Sequence, residues 1–419
     1  MNMDRVRAMV KNTYFVNLNT IKDPTILNTQ VLNWIKVYDE YGIHFDLIVI
    51  ESVLNLMTGR LFFNEQLVRR NFSNRMMRIY LAKAGSIIFT VLVLIFLPWL
   101  LRKPLLKKQT IILQTRSEIF EKPLRILKNL IGQRFKIIYD SRGSSPEEYR
   151  YVFLKQSKNP KIKKKIESMR HLEKEMVVLA DRVFCVSNAL KQYHMRNNPQ
   201  IPDSKFFVSP CNADPTLFFY DADIRARVRE KLEITDKKVI IYSGGLKMPW
   251  HIPDGVFELF ARLTETCHDI FLLMLTSDIN MAREFQQKHK IPDEKIKLLN
   301  LDNTEVSAYL NAADWAILLR HDMPVNNVAS PTKFAEYLMA GLPVIISPNV
   351  GDFSDFVVEN DVGFVIPTPY RDEDLQQLKS YLLKPIKSKD EIAQLGALNF
   401  SKKANIEQKI DQYLQLTVR

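Results

Sequence analysis

Val, Ile, Leu and Phe fall along this chain in short β-type runs separated by longer stretches of helical spacing. A first set of runs lies at 13–19 (TYFVNLN), 44–51 (HFDLIVIE), 109–116 (QTIILQTR), 136–142 (KIIYDSR), 182–187 (RVFCVS) and 205–210 (KFFVSP). A second set lies at 237–243 (KKVIIYS), 270–276 (IFLLMLT), 296–301 (IKLLNL), 314–320 (DWAILLR), 343–347 (PVIIS) and 363–366 (GFVI). Apolar strands that alternate with helices predict parallel sheets covered on both faces. Six strands in each set predict an α/β chain of two Rossmann-like domains. The boundary is expected near 210–225, in CNADPTLFFYDAD, giving a first domain of 1–218 and a second of 219–402. The amphipathic stretch KANIEQKIDQYLQLTV (403–418) reads as a closing helix, with 403–419 expected to pack back on the first domain.

One segment breaks the alternation. AGSIIFTVLVLIFLPWLL (84–101) runs 18 residues without a charge. Arg69, Arg70, Arg75, Arg78 and Lys83 precede it, and Arg102, Lys103, Lys107 and Lys108 follow. Its length is at the lower edge for a spanning helix. Positive charge on both sides favours neither crossing direction. A core helix, an interfacial segment and a true span all fit, and Trp99 with the basic flanks favours the interface.

Charge sharpens that reading. Of the 59 Lys+Arg and 47 Asp+Glu, residues 1–218 hold 35 and 18, a net +17; the remaining 24 and 29 give −5. The first half therefore suits a polyanion, and the run KNPKIKKK (158–165) adds to it unless it is only a solvated loop. No basic motif interleaved with aromatics is present, so a membrane surface is preferred to nucleic acid. Three scattered cysteines, Cys185, Cys211 and Cys267, argue against a disulfide framework or a zinc site. The opening MNMDRVRAMVKNTYF has no apolar h-region, so no secretory signal is read there.

Candidate chemistry clusters at strand ends, where open parallel sheets bind ligands. In SPTKFAEYLMAGLPVIIS (330–347), Ser330 reads as an N-cap, Pro331 as the first helical residue and Gly341 as the residue after the helix. Glu336 stands among apolar residues, and Lys333 stands in a first turn where the helix dipole disfavours cations. Either they form an i,i+3 salt bridge on a partly exposed face, or an anion sits at the helix start. Gly244 and Gly245 follow another strand and let backbone approach a ligand, with Lys247 just after. Arg320 ends a third strand and leads to the Ser330 helix. This edge of the second domain suits a diphosphate carrying a sugar or ribose. In the first domain YDSRGSSPEE (139–148) puts Asp140, Arg142, Glu147 and Glu148 at the facing edge.

Four stretches carry a resemblance to a known family. LEKEMVVLADRVFCVSNAL (172–190) looks like its "E…ADxVxxVS" segment, and VSPCNADPTLF (208–218) is similar to its "VxPNGVDxxxF" linker. IIYSGGLKMPW (240–250) takes the place of its "YxGRLxxxKG" loop, and SPTKFAEYLMAGLPVIIS is close to its glutamate-rich donor motif. The chain thus resembles retaining glycosyltransferases of the family 4 type, with the GT-B fold of two Rossmann-like domains facing across a cleft. The resemblance implies that Glu336 holds the ribose of a UDP- or GDP-linked sugar donor. It implies that the N–H groups around Ser330, Thr332 and Lys333 meet the diphosphate, and that no metal is needed. The motif's first glutamate is Val328 here, the loop arginine is Gly245 and a following lysine is Trp250. Lys247, Arg320 and Lys333 would then supply the positive charge. The family's first-domain histidine has no clear counterpart, and Arg142 is the substitute, with Asp140 and Glu148 beside it as catalytic candidates.

The expectation is a metal-independent, retaining glycosyltransferase at the cytoplasmic face of a membrane. Its acceptor would be lipid-linked or a glycan, in cell-surface polysaccharide assembly, and residues 69–108 would meet anionic lipid. A catalytically silent subunit on the same fold is the alternative.

Overall fold

The computed structural model describes residues 3–20, 31–52, 76–81, 86–156, 158–248, 250–265, 267–384 and 387–417. Two parallel sheets organise them. The first contains β1 Thr13–Thr20, β2 Phe45–Ser52, β3 Met76–Leu81, β4 Thr110–Thr115, β5 Phe135–Ser141, β6 Arg182–Cys185 and β7 Phe206–Val208. Its order is β3-β2-β1-β4-β5-β6-β7. The second contains β8 Lys238–Ser243, β9 Ile270–Leu275, β10 Ile296–Leu299, β11 Trp315–Leu318, β12 Val344–Ile346 and β13 Gly363–Val365, ordered β10-β9-β8-β11-β12-β13. All pairings between these strands are parallel.

The twelve expected strands are present, and the first sheet has a seventh, β3. Its short sequence MMRIYL includes a charge and lies at the sheet edge, so burial on both faces never imposes the apolar run that marked the others. Central strands behave oppositely: every residue of β4 and β9 is buried. Each sheet has an apolar cluster on either side.

The order of each sheet reverses beside its founding strand, between β1 and β4 in the first and between β8 and β11 in the second. Crevices at the carboxyl ends of such switch points are where α/β sheets take ligands. The helix Ile406–Thr417 packs on the first sheet, with Ile406, Ile410, Tyr413 and Leu414 in one cluster with Phe15, Tyr38, Phe45 and Phe184. Tyr413 meets all four of those rings edge-on.

The uncharged segment forms a helix at Ile87–Leu100, begun by Ser86, whose Oγ accepts from Phe89 N at 3.1 Å. Phe89, Val93, Leu97 and Leu100 enter the core of the first domain. The other face does not: Ile87 is 84 % exposed, and Ile88, Ile95 and Trp99 are exposed as well. Among the described residues no helix is long and apolar enough to cross a membrane. The expectations placed on Arg69, Arg70, Arg75 and Lys83 lie outside the described residues. KNPKIKKK is not a loop. Asn159 caps the helix Pro160–Leu179, and Ile162 and Ile166 pin it down while Lys161, Lys163, Lys164 and Lys165 stay exposed.

Candidate functional site

Contacts between the two halves fix the geometry of the cleft. Ser187 Oγ donates to the Val328 carbonyl at 2.9 Å. The Asp352 carboxylate accepts from Asn188 N at 2.6 Å and Ala189 N at 3.0 Å, so a side chain of the second domain caps the helix Asn188–Asn197 of the first. Cys211 N donates to Ser330 Oγ at 2.9 Å. Ser330 is therefore not the N-cap. Its hydroxyl holds the linker, Pro331 occupies the cap position without a side-chain bond, and the helix runs Thr332–Met339. Gly341, at φ +71°, follows it in the left-handed region as expected of a glycine terminator.

Between the halves lies a cleft open to solvent, with about 80 Å³ of enclosed space, whose lining includes Trp34, Arg142, Cys211, Thr332 and Glu336. It brings a first-domain candidate, Arg142, together with two second-domain candidates, Thr332 and Glu336. Thr332 and Lys333 are in the first turn, ahead of the helix's own hydrogen-bond ladder. Glu336 is buried, and its Oε2 pairs with Lys333 Nζ at 2.8 Å. The i,i+3 pair and the cavity thus coexist: one carboxylate oxygen takes the ammonium while the residue lines the interdomain space.

The glycine loop stands beside that helix. Ser243 N donates to Tyr337 Oη at 2.9 Å, which ties the end of β8 to the middle of the helix. Gly244 adopts φ +152°. The Gly245 carbonyl accepts from Tyr242 Oη at 3.0 Å and lies 3.0 Å from His251 Nδ1. Burial, with the charge of Arg320 added, pushes the His251 imidazole down to about 4, so it is neutral at pH 7. Lys247 is placed differently from the other candidates. It is 73 % exposed and paired at 2.8 Å with Asp278, whose other oxygen accepts from Leu246 N. Asp278 is held below the usual carboxylate range by Lys247 and that N–H.

Arg320 is partly buried at the carboxyl end of β11. Its Nη1 donates to Asn326 Oδ1 at 3.2 Å, and its Nε has no hydrogen-bond partner. Burial lowers its guanidinium to about 10, against the opposing pull of Tyr242 and Tyr337.

In the first domain Asp140 and Arg142 lie at the end of β5. Arg142 Nη1 is 3.7 Å from Asp140 Oδ1, and Arg116 Nε is 4.0 Å from Oδ2, which also accepts from Gln114 at 3.2 Å. Burial opposes ionisation of Asp140, but Arg142, Arg116 and Lys409 hold it below the usual range. Glu148 is exposed on the helix Ser145–Val152, while its neighbour Glu147 is buried and paired with Arg150 and Arg170. Arg116 and Lys409 were not singled out from sequence. The rule that found Arg142 applies equally to Arg116, which follows β4 directly; Lys409 gives no such signal, because the C-terminal helix brings it in from far along the chain.

Among the described residues no group of three or more His, Cys, Asp or Glu side chains is placed to hold a metal ion.

Comparison with known proteins adds the class. The fold is GT-B, two Rossmann-like domains with their sheets facing across a cleft. A glycosyltransferase from Rickettsia africae superposes with a TM-score of 0.68 at 16% identity, covering 97% of this chain and 99% of its own. Anabaena Alr3699/HepE, solved in complex with UDP-glucose, gives 0.67 at 12% identity, covering 96% and 99%. The lipopolysaccharide outer core galactosyltransferase WaaB in its apo form gives 0.68 at 12%, covering 97% and 99%. In sequence, residues 224–396 match the family Glycosyl transferases group 1, which accounts for most of the second domain. No curated protein matches the chain. Family match and fold together support a glycosyltransferase of GT-B architecture.

Proposed function

We propose that the protein is a metal-independent, retaining glycosyltransferase that moves a sugar from a UDP- or GDP-linked donor to a lipid-linked acceptor at the cytoplasmic face of a membrane. The observation that carries this reading is the interdomain cavity reached by Arg142 from one side and by Thr332 and Glu336 from the other. Glu336 holds the ribose. The first-turn N–H groups of Thr332 and Lys333, the backbone at Ser330, Gly244 and Gly245, and the cations Arg320 and Lys247 surround the diphosphate. Arg142, oriented by Asp140, faces the sugar end, with Glu148 at the rim. Charge leaving with the nucleotide meets fixed dipoles and cations, which is electrostatic preorganisation.

The membrane part rests on the outer face of the Ile87–Leu100 helix. Ile87, Ile88, Ile95 and Trp99 present an apolar surface, Leu106 and Leu130 are exposed too, and Arg102 stacks over Trp99 at 4.7 Å. Exposed Lys103, Lys107 and Lys108 follow. An apolar face beside basic residues matches an interface rich in anionic lipid.

A panel of UDP- and GDP-sugars in a thermal-shift assay tests the donor. Binding at a hundredfold over Kd adds about 2.7 kcal/mol to stability. NMR of the product then reads the anomeric configuration, which is unchanged from the donor under this mechanism, and turnover persists in chelator. Inversion, or loss of turnover in chelator, overturns those parts. Val328 favours a second reading. It replaces the acid that the family motif places near the donor sugar, and it is buried against the first-domain core. A silent subunit of this kind stabilises with none of the donors.

A further inference from the structure

The three cations expected around the donor's diphosphate are in different states. Lys247 is paired with Asp278 at 2.8 Å, and Lys333 with Glu336 at 2.8 Å. Among the described residues no carboxylate pairs with Arg320. Its Nη1 donates to a neutral amide, Asn326 Oδ1, at 3.2 Å, and its Nε is buried without a hydrogen-bond partner. A cation withdrawn from water with part of its hydrogen-bonding capacity unused is costly until an anion meets it.

The amide that holds this guanidinium is fully engaged. Asn326 is buried in the short turn Pro324–Asn327. Its Nδ2 donates to the Trp250 carbonyl at 3.1 Å and to the His321 carbonyl at 2.8 Å. With both donors on carbonyls, the Oδ1 end is the one that must face Arg320. The Trp250 contact brings in the glycine loop. The next residue, His251, bridges to Arg320 in antiparallel fashion, and its Nδ1 lies 3.0 Å from the Gly245 carbonyl. One buried amide thus fixes the guanidinium, the strand end that carries it and the far end of the glycine loop against one another. An aspartate has the same shape. It would set an oxygen against two carbonyls, and it would neutralise Arg320 as Asp278 neutralises Lys247.

We infer that Asn326 is a positioning residue for the donor: it aims Arg320 at the diphosphate while leaving that cation without a carboxylate, which makes Arg320 the principal cation there. This rests on the donor reading above. Lys247 and Lys333 have to leave a carboxylate to reach a phosphate oxygen, and Arg320 does not.

Calorimetry on the full chain with UDP and GDP, and with uridine and guanosine, tests the assignment. Asn326→Asp is expected to weaken the nucleoside diphosphate by roughly tenfold or more, the scale of a hydrogen bond between charged groups, and to leave the nucleoside within about twofold. Arg320→Gln has the same effect. The double variant loses nothing further, because the carboxylate acts only through the guanidinium. A merely structural role for Asn326 would weaken nucleoside and diphosphate together, or add to the loss in Arg320→Gln. Either result overturns the inference, as does normal diphosphate binding by Asn326→Asp. Should Asn326→Asp not fold, Asn326→Ala takes its place in the same cycle, and equal losses for the nucleoside and its diphosphate overturn the inference there. If neither nucleoside diphosphate binds the natural protein, the donor reading falls and this inference falls with it. If one binds and is indifferent to both substitutions, this inference falls alone.

Discussion

The two carboxyl-terminal sheet edges that face each other across the cleft are built on different principles. The edge at β8 and β11 is made of short local segments. Its glycine loop is bonded through Ser243 N and the Gly245 carbonyl, and its helix start carries a pair only three residues apart, Lys333 and Glu336. The edge at β1, β4 and β5 is made of side chains drawn from separate parts of the chain: Gln114 and Arg116, Asp140 and Arg142, and Lys409. The first kind of site survives the loss of one side chain, because backbone groups remain in place. The second depends on buried charges facing one another, because a lone charge left in a desolvated place is costly.

The largest effect that follows is on stability. Asp140→Ala leaves Arg142, Arg116 and Lys409 facing one another in a buried space. Breaking a buried ion pair from one side is expected to cost about 3–5 kcal/mol. Glu336→Ala on the opposite edge changes stability by about 0.5 kcal/mol, the scale of a partly exposed helical pair. Chemical denaturation of the two variants side by side measures the contrast. Equal midpoints would mean the two edges are not different in kind.

A pH titration sharpens the picture of what supports the first edge. Behind the loop that carries Arg142, Ser141 Oγ contacts His194 Nε2 at 2.8 Å and Ser144 Oγ donates to Tyr193 at 3.0 Å. Burial, reinforced by Glu118, pushes the nearby Glu173 carboxyl up to about 8. Folded protein therefore keeps a proton that the unfolded chain gives up above the ordinary carboxylate range. The associated stability is complete below that range and is lost as pH rises through about 8, on the order of 5 kcal/mol in total. His194 runs the other way: burial lowers it to about 4, so stability falls as pH drops from its ordinary 6.5 toward 4. In thermal unfolding from pH 6.5 to 8.5 the natural protein should lose stability relative to Glu173→Gln as pH rises, and a constant difference between the two would remove Glu173 as a titrating group.

These contrasts explain how much was readable in advance. The strands were legible because buried parallel strands are apolar on both faces, and the candidates on the second-domain edge stood out because glycines, Arg320 and Glu336 sit at strand ends and a helix start. Ser330 was misjudged because its hydroxyl had two possible uses, and a long-range one, the Cys211 N–H, prevailed over the local cap. The first-domain edge was legible only in Asp140 and Arg142, since nothing local marks Lys409 as their neighbour. The apolar helix at 87–100 could not be resolved from composition, because a segment apolar all round does not say which face the core takes.

Donor binding separates the edges in function. Glu336→Ala is expected to weaken UDP- or GDP-sugar binding by about 1–3 kcal/mol, from lost hydrogen bonds to a charged group. The same titration on Asp140→Asn, which keeps shape and removes charge, should leave nucleotide affinity nearly unchanged. Calorimetry with the nucleoside diphosphates alone reads both. Equal losses would merge the two edges into one site.

A smaller expected effect lies outside both edges. On membranes, Ile95→Glu with Trp99→Glu should reduce sedimentation with anionic vesicles while leaving nucleotide binding intact, since both side chains are on the outer face of their helix. Unchanged sedimentation would remove that face as the docking surface. The smallest change is assigned to Lys247. Its ammonium is largely in water and already satisfied by Asp278, so Lys247→Ala should alter stability by less than about 0.5 kcal/mol. Its reach toward a diphosphate requires leaving Asp278, and solvent screens the gain, so donor affinity should fall only a few-fold and the difference should vanish in high salt. A loss as large as that of Glu336→Ala would mean that the loop closes over the bound nucleotide and that Lys247 exchanges its carboxylate partner for phosphate, which would make side chains as decisive on this edge as on the other.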